Sequence, residues 1–157
     1  MKRLSDMDDE ELFAYALKGD VEARALILYI YRLAHAMDDM VDRDKPMTDR
    51  EMYEVFWLAL VQIPSNGFYR RHAKELIPLA ATSLLNWAAA TDIEKREKPA
   101  LEDLHVAHVI RHNVADAYIL IATIIGGPQH GFEVAAELRT RAQRESFQNY
   151  LKEFDHA

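Results

Sequence analysis

The chain has no cysteine, which excludes disulfides, zinc–thiolate sites and thiol catalysis and accords with a reducing compartment. Glycine and proline are scarce, five of each. No Asn-Gly turn stands between alternating strand patterns; Asn66-Gly67 lies between helical patterns, so a hairpin-based β fold is not expected. Positive charge is also short. Against 26 Asp and Glu there are 19 Lys and Arg, a net charge of −7, and nucleic acid is not expected as a partner because phosphate binding needs a basic surface. Long hydrophobic runs are missing. The stretches 55–69, 76–91 and 117–132 lack charge, but each contains Pro, Gly or Asn, so no membrane span is expected. The opening MKRLSDMDDEEL turns acidic at once without the apolar core of a signal peptide, and a cytoplasmic protein is the expectation.

What is present is a globular composition over 157 residues, 50% apolar and 29% charged, enough to bury the core of one domain. Its periodicity is helical throughout. A short helix over 8–17 stops at Gly19, and a long one spans 20–42. Residues 43–47, with Pro46, read as a loop. Thr48-Asp-Arg-Glu51 is a capping box that opens a helix to about residue 62. Residues 68–97 form a further helix, kinked or broken at Pro78. Pro99 suits the first turn of another, ending at Gly126-Gly127, and a last helix runs from Pro128 to the region of Phe154. The expected fold is an all-α, single-domain bundle covering residues 1–157, with about five to six helices joined by short loops.

Two polar stripes carry chemistry. On the helix over 20–42, Leu26, Ile30, Leu33, Met37 and Met40 share one face, while His35, Asp38, Asp39 and Asp42 lie opposite, within about 100° of arc. Leu28 and Tyr31 lie on the acidic side, and residues 25–31 carry no charge, as in a central helix. Three carboxylates within one turn repel each other, so they need solvent, arginine or a cation. Mg²⁺ or Mn²⁺ on Asp38, Asp39 and Asp42 would keep positions open for phosphate, with Arg32 and Arg111 pairing with the acids or the anion.

The segment Tyr31-Arg-Leu-Ala-His-Ala-Met-Asp-Asp-Met-Val-Asp contains a DDxxD motif and resembles the first acidic-motif helix of class I isoprenoid synthases, closest to the squalene/phytoene synthase branch. The resemblance implies Mg²⁺ on the acids holding a diphosphate inside a helical bundle. It covers about a dozen residues of one helix. The family's second motif, of the NDxxSxxxE kind, has no counterpart, so the resemblance implies a metal-binding geometry rather than prenyl transfer.

The second stripe is His105, His108, His112 and Asp116, spaced i, i+3, i+7 and i+11 within about 80° of arc. Neutral imidazoles one turn apart can share a metal ion, which makes His105 and His108 candidate ligands. His112 and Asp116 are then the candidate general acid and base. Elsewhere, Glu133, Glu137, Arg141 and Glu145 read as a surface ladder, Trp57 and Trp87 as core or interface, and Glu94 and Glu97 as part of an exposed helix end.

Two functions follow. One is metal-assisted binding or hydrolysis of a small phosphorylated ligand, in a crevice where both stripes face inward. The other is a non-catalytic interaction protein of bacterial or phage type, with wet stripes. The apolar segments 55–63 and 117–125 further suggest a homodimer.

Overall fold

Local capping sets the helix starts. Asp8 accepts from the Glu11 amide and donates its own amide to the Glu11 carboxylate, each at 2.9 Å, and so opens α1 (Asp9–Ala16). Lys18 and Gly19 then turn the chain with positive φ. Asp20 accepts from the Glu22 and Ala23 amides at the head of α2 (Val21–Asp42). The Thr48 box is present at α3 (Asp49–Trp57), with the Thr48 amide donating to Glu51 at 2.8 Å. A computed structural model describes residues 3–42, 46–143 and 145–154; residues 43–45 of the expected loop, and the Asp42 side chain, lie outside it.

Further helices are α4 (Gly67–Glu94), α5 (Leu101–Arg111), α6 (Val114–Gly126), α7 (Pro128–Ala142) and the short α8 (Phe147–Leu151), with 3-10 turns at Leu4–Asp6 and Lys152–Phe154. A π-helical turn, Leu58–Gln62, and one further turn, Ile63–Ser65, join α3 to α4. The chain is all-α, with no strand among the described residues. Among the described residues seven helices have eight residues or more, against the five to six expected.

Three boundaries depart from the sequence reading. α4 breaks at His72 (φ −121°, ψ 22°), not at Pro78. Pro78 lies on an exposed face, so water can satisfy the carbonyl that its missing N–H leaves unpaired. The expected helix 99–126 is two helices bent by 43°. At that break the His112 ring donates to the His108 carbonyl (2.7 Å), the acceptor its own backbone amide would use, and the Asn113 side-chain amide donates to the Ser83 carbonyl of α4 (2.7 Å). The last expected helix stops at Ala142, and Ser146 caps a separate short one.

The core centres on α6. Ile121 packs with Leu26, Ile27, Phe68 and Leu76, while its neighbour Ala122 packs with Leu12, Val134 and Leu138. Tyr118 borders both groups. The central helix is thus α6 and not α2, whose Leu28 and Tyr31 are exposed. No single described helix is long and apolar enough to cross a membrane.

Candidate metal centre

The one-turn spacing of His108 and His112 at the end of α5 puts their rings 4.9 Å apart. His108 is 3% exposed, and its Nε2 has no hydrogen-bond partner among the described residues. Glu145, between the end of α7 and the start of α8, completes a group whose ligand atoms all lie within 4.8 Å of one another. His108 is buried, His112 half-buried and Glu145 exposed, so the group opens to solvent on the carboxylate side.

Neighbouring groups orient both rings. His112 Nδ1–H donates to the His108 carbonyl at 2.7 Å, which leaves Nε2 of His112 with its lone pair. The Gln143 side-chain amide lies 3.0 Å from His108 Nδ1. The amide nitrogen donates to Nδ1, so the proton of the neutral ring sits on Nε2; with the amide reversed and its oxygen accepting from Nδ1–H, the Nε2 lone pair would be free for a cation. Burial first, and then the adjacent His112, lower the His108 pKa, while the Glu145 backbone and carboxylate pull the other way. A neutral imidazole is the form that binds a metal.

Behind the histidines runs a second polar chain. Tyr150 packs on His108 with ring centroids 4.9 Å apart, and its hydroxyl donates to Glu94 at 2.7 Å. Burial, reinforced by that carboxylate, raises the Tyr150 pKa far above its usual value and keeps it a neutral donor. Arg111 grips the same Glu94 through Nε (3.0 Å) and a second guanidinium nitrogen, and donates to Asp38 at 2.9 Å. Its guanidinium also lies 5.5 Å from the Trp87 ring.

The predicted residues therefore separate. His108 and His112 come together. His105 is exposed and stacks on Phe147 at 3.9 Å. Asp116, carried off the stripe by the bend, pairs with Arg139 of α7. The acids diverge: Asp38 meets Arg111, whereas Asp39 and Arg32 line a cleft of about 150 Å³ with Glu51 and Glu54. α2 and α5 meet at the Asp38–Arg111 contact, through an arginine that also holds Glu94, and no contact joins the acidic stripe to the histidine stripe among the described residues. Glu94, read as part of an exposed end, is only 10% exposed at its side chain.

Glu145 was hidden by its i, i+4 spacing from Arg141, which fits a ladder; the ladder ends at Glu137–Arg141. The signal that separates Glu145 is Ser146, a capping residue that accepts from the Asn149 amide. No family model matches the chain, and comparison with curated proteins and with solved structures finds no match.

Proposed function

We propose that this chain binds a divalent transition-metal ion through His108, His112 and Glu145. The observation that carries the reading is the buried Nε2 of His108, without a partner among the described residues, beside two further donors. A buried ring nitrogen without a partner costs about 1–3 kcal/mol, and a bound cation removes that cost. Two imidazoles and one carboxylate favour Zn²⁺, Fe²⁺ or Mn²⁺ over Mg²⁺, which prefers oxygen ligands. Three protein donors leave a position for water, and a metal-bound water is the nucleophile for hydrolysing an ester or phosphoester. The expected phosphorylated ligand would thus meet the ion on its solvent side, beside Glu145, rather than on the acids of α2.

The test is titration of metal-free protein with Zn²⁺, Mn²⁺ and Mg²⁺ by calorimetry, with Co²⁺ absorption as a probe of coordination. One ion per chain is expected, with Zn²⁺ tighter than Mg²⁺. His112→Ala and Glu145→Gln should each weaken binding, by roughly 100-fold for the histidine. Absence of stoichiometric binding, or binding indifferent to both variants, overturns the reading.

A second reading, the interaction protein, draws on a different observation: α3 presents several large apolar side chains to solvent.

A further inference from the structure

α3 and the turn after it form an amphipathic rod with an uncovered apolar face. Leu58 is buried against the bundle and Val55, Ala59 and Gln62 are half-buried. On the far side Tyr53 is 72% exposed, Phe56 56%, Trp57 60% and Leu60 71%. Their spacing, i, i+3, i+4 and i+7, makes one continuous stripe. Aromatics in such number on one exposed face mark an interaction surface, because isolated exposed residues are ordinary and contiguous ones are not.

We infer that this stripe is the contact between two copies of the chain, packed antiparallel about a two-fold axis near Phe56 and Trp57. Charge placement selects this occupant. Asp49, Arg50, Glu51 and Glu54 all lie in the N-terminal half of the rod, and residues 59–67 carry no charge. Antiparallel pairing sets each charged half against the partner's uncharged half and lays Tyr53 over Leu60 of the partner subunit. Parallel pairing would align Asp49, one turn before Tyr53 on the same stripe, with its own copy, which repels. Area agrees. The four side chains offer on the order of 500 Å² of apolar surface, the larger part of the roughly 800 Å² that each partner of a stable pair commonly buries. A two-fold contact needs one self-complementary patch, and an i, i+3/i+4 stripe packed on itself supplies it. The contact requires no metal and stands apart from the histidine site.

The measurement is sedimentation velocity of the full chain from micromolar to millimolar concentration, with tryptophan emission in parallel. A monomer–dimer equilibrium is expected, with emission moving to shorter wavelength on association and that movement lost in Trp57→Phe. Leu60→Lys should raise the dimer Kd at least about tenfold. Tyr53→Glu added to Leu60→Lys should recover part of that loss, because the antiparallel pair brings glutamate and lysine together. Phe56→Ser serves as an independent weakening variant. All these positions are exposed, so unchanged far-UV circular dichroism is expected for each. Added salt should favour the dimer, since each copy carries a net charge of −7. A monomer at every concentration overturns the inference, as does a dimer indifferent to Leu60→Lys and Phe56→Ser. A double variant weaker than the single overturns the antiparallel arrangement. Association that weakens with salt overturns the apolar contact.

Discussion

Individual side chains around His108 balance two opposing costs. Burial favours a neutral ring, and the carboxylate of Glu145 favours a charged one; burial prevails and the pKa falls. The folded state therefore binds fewer protons than the unfolded chain between that lowered value and about 6.5. Stability from this source is complete above the ordinary imidazole value and is lost as pH falls through the window. Urea midpoints taken stepwise from neutral to mildly acidic pH should decline, and His108→Gln should remove part of the slope. Tyr150 makes a separate contribution. It is 3% exposed and donates to a carboxylate, so Tyr150→Phe should cost roughly 1.5 kcal/mol in chemical denaturation. Glu94 keeps Arg111 as a partner in that variant, which limits the loss. These roles were partly legible. The spacing of His108 and His112 is visible in the chain, whereas Tyr150, Glu94 and Glu145 stand far along it and carry no local mark of a shared site.

Between elements, small residues decide how closely helices approach. At the α6–α7 contact a Cβ added to Gly131 would lie 2.1 Å from Thr123 Oγ1 and 3.1 Å from its Cβ. Threonine cannot swing away freely, because its hydroxyl donates to the Ile119 carbonyl at 2.7 Å. Gly131→Ala should therefore destabilise by about 1–3 kcal/mol, against the gain of about 1 kcal/mol that alanine brings to an open helix position. A thermal or urea melt decides the sign. Element ends were legible where a cap sets them, as at Asp8, Thr48, Gly19 and Gly127. The break at His112–Asn113 was not, because the Asn113 bond to the Ser83 carbonyl comes from another helix. That break also explains why Asp116 left the histidine stripe: a bend of 43° rotates everything after it.

For the molecule as a whole, a ligand that binds only the folded state adds RT ln(1 + [L]/Kd) to stability. On the metal reading, Zn²⁺ at about 100 times its Kd should add about 2.7 kcal/mol, or roughly 5–10 °C in the melting temperature of a chain this size. EDTA should reverse the shift, and His112→Ala should abolish it; scanning calorimetry reads all three. The amino-acid order alone determined an all-helical chain, most of its caps, and the amphipathic faces of its helices. Those follow from interactions between residues a turn apart, so a short window contains the whole cause. Only the tertiary structure decided what each polar stripe meets. It set Asp38 on Arg111, Asp39 in a different cleft, and Glu145 beside His108 and His112. The physical reason is that a helix face has no preferred partner until other helices fix its rotation, and that fixing depends on packing among residues far apart in the chain.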